Sequence, residues 1–289
     1  MDGAGKSGKD LLVIGLLEAI GTAILLAAVN FSKGNPLVVV TGILTGAILS
    51  GRLTGAHFNP GVTIAVLISD DVKKIKANLK LASVLIVSQL VGGYVGQAYS
   101  YMELGSSIAA LSSPPNFSPL KVFLIELLFT FILMVSILHN IYPRLSIQSD
   151  TVLAVVSVIL CVYFCIRCAG PMTGACFNPC VALVNVPFVA LVRMGSEQPN
   201  FLEYLPSYVF GPLIGAILAG IFCKFFIMPH VPHYYDTMLS TFREDLAQRY
   251  SNVDGNNSLS VYENSQEKAL EKEKERLLLR GGSGVGDKQ

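Results

Sequence analysis

A seven-residue string occurs twice in this chain with six of its seven positions identical, each time inside apolar sequence. The first copy is Thr54-Gly55-Ala56-His57-Phe58-Asn59-Pro60 and the second is Thr173-Gly174-Ala175-Cys176-Phe177-Asn178-Pro179. Upstream of each lies a single carboxylate in an E-x-x-x-T string, Glu18 to Thr22 and Glu126 to Thr130. The order is the same in both halves, so the chain is an internal duplication. Asn followed by Pro is a helix-start signal: Asn accepts from the first free N–H groups, and Pro suits the first helical position. Each copy therefore predicts a loop that enters a short helix of about ten residues, too short to cross a bilayer.

Around these boxes lie six longer stretches nearly free of charge. They cover residues 11–32, 34–51, 81–102, 122–143, 151–166 and 204–223. A spanning helix needs about 20 apolar residues, so each is read as a membrane helix. Two further apolar segments, 53–69 and 168–192, contain the Asn-Pro boxes. Each half holds three full spans, an odd number, so the two copies lie in the membrane upside-down to each other. Inverted repeats with broken helices place their site near the midplane. The expected fold class is an all-α membrane protein of six transmembrane helices plus two re-entrant half-helices.

Charge follows the same division. Only 14% of residues are charged, and residues 229–289 hold 18 of the 41 Lys, Arg, Asp and Glu residues. The chain thus reads as a polar N-terminus (1–10), a channel-like body (11–228) and a polar tail (229–289). Residues 264–280 of the tail read as a charged helix, with Glu267, Glu271 and Glu275 facing basic neighbours at i+3 and i+4. His230 and His233 sit where the body ends and read as loop residues. A net charge of +1 gives no reason to expect nucleic acid as a partner. Lys6, Lys9, Lys73, Lys74, Lys76, Lys80 and Arg144 fall in segments of one side, while the loop 103–118 has no Lys or Arg. Both termini are therefore expected to face the cytoplasm.

Glu18 and Glu126 would be costly in lipid without a role. Two roles fit: accepting hydrogen bonds from the main chain of the re-entrant loops, or relaying protons. Their matching positions favour bracing. The cysteines at 161, 165, 168, 176, 180 and 223 lie in apolar sequence with no CxxC beside His ligands, and read as packing residues. No nucleophile elbow, phosphate loop or metal cluster is present, so neither an enzyme nor a cofactor is expected.

The boxes TGAHFNPGVT at 54–63 and TGACFNPC at 173–180 resemble those of the major intrinsic proteins, the aquaporins. The strings Gln89-Leu-Val-Gly92-Gly93 and Gly211-Pro212-Leu-Ile-Gly215-Ala216 are also similar to that family's. The resemblance covers roughly residues 8 to 228. It implies six tilted helices around two half-helices meeting at the midplane, a homotetramer in a lipid membrane, and one pore per subunit. Aquaporin-type pores are a known case in which diameter, lining donors and an arginine or half-helix dipole set selectivity. The resemblance makes Asn59, Pro60, Gly61 and Asn178, Pro179, Cys180 the two pore boxes. His57 matches a histidine of the family's loop, and two readings stand for it: bracing the loop or facing the pore.

This chain departs from the family at the third box residue, Gly61 and Cys180 in place of alanine. It departs further at Val181, where the family carries an arginine. By counting from the boxes, the other filter positions fall at Val39, Ile166 and Ala175, so the expected filter is apolar throughout. Arg167, beside Ile166, is either a stand-in for the lost arginine or a side chain reaching to the interface. Ala182 stands where glycerol-conducting members carry aspartate. The chain is read as a passive channel for water or small uncharged solutes such as glycerol, urea or hydrogen peroxide. The alternative is a non-conducting subunit of a larger membrane assembly that kept the fold.

Overall fold

The computed structural model describes residues 3, 5–70, 74–111, 117–141, 151–193 and 201–230. The tail beyond 230, with its expected charged helix, Lys73, Arg144 and His233, lies outside them. Eight α-helices follow in order: α1 (Gly8–Phe31), α2 (Pro36–Thr54), α3 (Pro60–Ser69), α4 (Ile75–Leu104), α5 (Pro119–Ile141), α6 (Thr151–Thr173), α7 (Pro179–Val192) and α8 (Leu205–Phe222). A π-helical turn over Cys223–Ile227 extends α8. Six of these helices are long and apolar enough to cross a membrane, and α3 and α7 are the two short ones.

The helix starts follow from their capping chemistry. Asn35 caps α2 with Pro36 behind it, Asn59 caps α3 with Pro60, and Asn178 caps α7 with Pro179. Ser7 and Asp10 close a reciprocal capping box at the start of α1. Two spans run past the limits expected from charge-free stretches. Helix α4 begins at Ile75, so Lys76 and Lys80 lie in its first turns, and α6 continues through Arg167 to Thr173. The physical reason is that a lysine or arginine does not end a helix; its long stem carries the charge to the interface while the backbone stays helical.

Helix α4 crosses α1 at a Gly92-x-x-x-Gly96 stripe. A Cβ added at Gly92 would lie 2.6 Å from the carbonyl carbon and 2.7 Å from the Cα of Ala19, and one at Gly96 would lie 2.9 Å from the Cα of Ala23. Helix α8 crosses α5 in the same way at Gly211-x-x-x-Gly215, with a Cβ at Gly211 falling 2.9 Å from the Phe123 carbonyl oxygen. Small residues at i and i+4 let two helix backbones touch, and that close packing drives association where lipid removes the usual hydrophobic gain. The duplication is therefore visible in packing as well as in the boxes. These two crossings fix the frame from which α3 and α7 point inward.

Candidate functional site: a lumen between two half-helices

The two loops that lead into α3 and α7 have the same backbone. Gly55 and Gly174 sit at φ 86° and 83°, Ala56 and Ala175 at 52° and 55°, and Phe58 and Phe177 both at 49°. Only the glycines adopt such angles freely; each non-glycine residue there is strained by roughly 1–2 kcal/mol. Something must hold these loops, and the two carboxylates do. Glu126 accepts from the Cys176 and Phe177 main-chain N–H groups at 3.1 and 2.8 Å and from the Thr173 hydroxyl at 2.6 Å. Glu18 accepts from the Phe58 N–H at 2.6 Å and from the Gln89 amide at 2.8 Å. Gln89 also donates to Thr63, whose hydroxyl lies 3.0 Å from Nδ1 of His57. The histidine thus meets a side chain of α3 and also lines the cavity described below.

The asparagines join the halves. The Asn59 side-chain oxygen accepts from the Gly61 N–H at 2.7 Å, and Asn178 accepts from Cys180 at 2.9 Å. Each amide nitrogen then reaches across the pseudo-symmetry axis: Asn59 donates to the Phe177 carbonyl and Asn178 to the Phe58 carbonyl, both at 2.9 Å. An amide nitrogen carries two N–H groups, so this bond leaves one on each asparagine. Two helix N-termini, each equivalent to roughly +0.5 charge, meet at this point.

A cavity of about 910 Å³ passes both asparagines. It touches α2 from Val39 near its start to Thr54 at its end. A 19-residue helix is about 28 Å long, close to the hydrocarbon thickness of a bilayer. One mouth is bordered by Lys6 and Arg52, the other by Lys33 and Asn35. Val39, Ile166, Ala175 and Val181 all line it, as does Arg167. Gly61 and Cys180 do not. Among the described lining residues four carry a positive charge (Lys6, Lys33, Arg52 and Arg167) and none is a carboxylate.

Sequence reasoning missed several groups that shape this lumen. Asn30, Gln97 and Asn185 are buried together, with Asn30 donating to the Gln97 side-chain oxygen at 3.0 Å. Arg193, at the end of α7, donates to the Ser106 and Ile108 carbonyls, both at 2.8 Å. Lys224 donates to the Ile68 and Asp70 carbonyls at 2.8 and 2.9 Å, placing a cation on the C-terminal end of α3. A cation there complements the negative end of the half-helix dipole. The signal for the first three was a side-chain amide inside an otherwise apolar stretch, which seldom stands there without a partner.

Comparisons with known proteins agree with this geometry. The sequence model of the family described as Major intrinsic protein matches residues 11–223. The glycerol uptake facilitator protein-like 6 of Lactiplantibacillus plantarum is 29% identical over 221 residues, which is 72% of this chain and 94% of that protein. The aquaglyceroporin of Toxoplasma gondii is 25% identical over 211 residues, 70% of this chain and 74% of its own length. The X-ray structure of the aquaglyceroporin from Plasmodium falciparum shares the fold with a TM-score of 0.64 at 24% identity, covering 77% of this chain and 99% of that one. With the duplicated boxes, six spans and two half-helices, the match over residues 11–223 makes this chain an integral multi-pass membrane protein that belongs to the major intrinsic protein family.

Proposed function

We propose that this chain is a passive channel for water and small uncharged solutes, with glycerol, urea and hydrogen peroxide as candidates. Members of the family are passive channels and not enzymes. The observation that carries the reading is a cavity that touches both ends of α2 and is lined between them by Asn59 and Asn178. A solute oxygen meeting the remaining asparagine N–H groups is held only briefly, because the wall on either side is largely apolar. Four cationic side chains without a carboxylate, together with two half-helix N-termini, oppose cations and hydronium.

In this reading Val39, Ile166, Ala175 and Val181 form the selectivity ring. Without an arginine or an aromatic side chain, the ring supplies bulk but no donor. Such a ring discriminates by size and by the penalty of stripping hydration from a charge, not by recognising hydroxyl groups. The names of the Lactiplantibacillus and Toxoplasma relatives, a glycerol uptake facilitator and an aquaglyceroporin, support solutes larger than water. Both termini face the cytoplasm in this reading, since Lys6 and Lys9 and the lysine-rich stretch 73–80 share one side of the membrane. A homotetramer is the assembly in which each lumen serves alone.

The test is stopped-flow light scattering of proteoliposomes under water, glycerol, urea and peroxide gradients. Conductance above empty vesicles for water and at least one solute is expected, with no potassium or sodium leak. Flux equal to empty vesicles for all four overturns the proposal and favours the non-conducting subunit, a reading that the end-to-end cavity otherwise disfavours.

A further inference from the structure

The polar cluster at the second mouth holds a piece of main chain from a loop distant in sequence. Asn30, at the end of α1, accepts from the Ala109 N–H at 3.1 Å. Asn185, on α7, donates to the Ala109 carbonyl at 2.8 Å and accepts from the Leu111 N–H at 3.2 Å. Gln97 on α4 ties the two asparagines together through its side-chain oxygen, at 3.0 and 3.5 Å. Arg193 holds the same segment two and four residues upstream of Ala110, at the Ile108 and Ser106 carbonyls. All three amide side chains are almost fully buried, at 2%, 0% and 1% exposure for Asn30, Gln97 and Asn185. Burying three amides in an apolar body is unfavourable unless their bonds are made. Here Asn30 and Asn185 spend bonds on the Ala109 and Leu111 main chain, so they fix where residues 109–111 lie, whatever side chains those residues carry.

The segment so placed forms lumen wall. Ala109, Ala110 and Leu111 all line the cavity. The Leu111 side chain belongs to the same apolar cluster as Val181, and Val39 packs against that cluster. Two members of the ring therefore share their packing with a residue from a loop distant in sequence. We infer that Leu111 is a fifth, size-determining member of the selectivity ring, and that Asn185 and Asn30 are the positioning residues that hold it there. The inference rests on the channel reading above. It gives the missing arginine a physical substitute: bulk delivered from the side by a clamped loop, with no donor attached. Solutes are then sorted by cross-section at Leu111, and loss of the clamp has the same effect as loss of the side chain.

The experiment compares glycerol and water fluxes in proteoliposomes of the full chain carrying Leu111→Ala, Leu111→Met or Asn185→Leu. Leu111→Ala is expected to raise the glycerol-to-water ratio about threefold or more. Leu111→Met, which keeps the bulk, stays near wild type. Asn185→Leu, which removes the Asn185 bonds of the clamp and keeps the number of side-chain heavy atoms, moves the ratio in the same direction as Leu111→Ala. Should Asn185→Leu fail to fold, the two Leu111 variants decide alone, since each alters one side chain. A wild-type protein silent to both solutes overturns the channel reading, and the inference falls with it. A conducting wild type whose ratio is unchanged in Leu111→Ala overturns the inference alone.

Discussion

Replacing Glu126 with glutamine tests whether a buried carboxylate holds the second re-entrant loop. The wild-type side chain accepts three bonds, from the Thr173 hydroxyl and the Cys176 and Phe177 N–H groups. Glutamine offers one acceptor oxygen and one donor nitrogen. Whichever way its amide turns, one of the two main-chain N–H groups then faces another donor. A buried N–H left without a partner costs about 1–3 kcal/mol. The bonds that survive lose their charge assistance, roughly another 1 kcal/mol. The expected loss is about 2–4 kcal/mol, or about 5–15 °C in melting temperature for a body of this size. The loop has little to resist with, because Ala175 and Phe177 are held at φ 55° and 49°. Thermal melting of the purified protein in detergent measures the shift, with the exposed Glu103→Gln at the end of α4 as the control. Swelling rates of proteoliposomes carrying the same variants should fall with stability. If Glu126→Gln and Glu103→Gln both melt within 1 °C of wild type, the loop holds its own conformation and the bracing argument is wrong.

Two further expectations concern the ring and the frame. Val181→Arg should narrow the lumen and add a donor, lowering glycerol flux more than water flux in the vesicle assay; unchanged glycerol flux would show that Val181 lies off the path. Gly92→Ala places a methyl carbon 2.6 Å from the Ala19 carbonyl carbon, and separating α1 from α4 should cost about 1–3 kcal/mol, more than the ~1 kcal/mol gained by removing a helical glycine. Gly170→Ala is the comparison, since its nearest neighbour stands 4.0 Å away. A melting temperature for Gly92→Ala at or above that of Gly170→Ala would remove the close crossing from the account.

What was legible in the sequence was local or repeated. Asn59-Pro60 and Asn178-Pro179 announce helix starts because capping and proline geometry act over two or three residues. The six spans are legible because bilayer thickness imposes a length on any apolar helix. Helix ends were less so, as at Ile75 and Thr173, because basic side chains can extend along a helix without stopping it. The clamp of Asn30, Gln97 and Asn185 was not legible. Its members stand 67 and 88 positions apart, and no periodicity joins them. Nor was the local break in symmetry at the loops. Gly21 stands three residues after Glu18, and a Cβ there would meet the Phe58 ring; the matching position after Glu126 is Phe129, whose ring lies 6.1 Å from that of Phe177. Duplicated strings thus carry a shared backbone, while the packing that surrounds each copy has drifted apart.

The same drift accounts for the two altered boxes. Neither Gly61 nor Cys180 lines the lumen; each is turned against a full-length helix. A Cβ at Gly61 would lie 3.3 Å from the Ala216 methyl on α8, and a Cβ at Gly93 on α4 would lie 3.1 Å from the Cys180 sulfur. Where the box residue has shrunk to glycine, the facing helix presents alanine. Where it has grown to cysteine, the facing helix presents glycine. Close-packed contacts tolerate substitution best when total volume is kept, and the exchange keeps it on both sides of the axis. The cysteine adds one polar contact, its thiol donating to the Gln89 carbonyl at 3.2 Å, on the same residue whose side chain supports Glu18. Departures at the third box position are therefore matters of helix packing, separable from the asparagines that meet at the lumen. Val39, Ile166, Ala175 and Val181 instead line the lumen directly, so a change of side chain at any of them alters what a solute would meet.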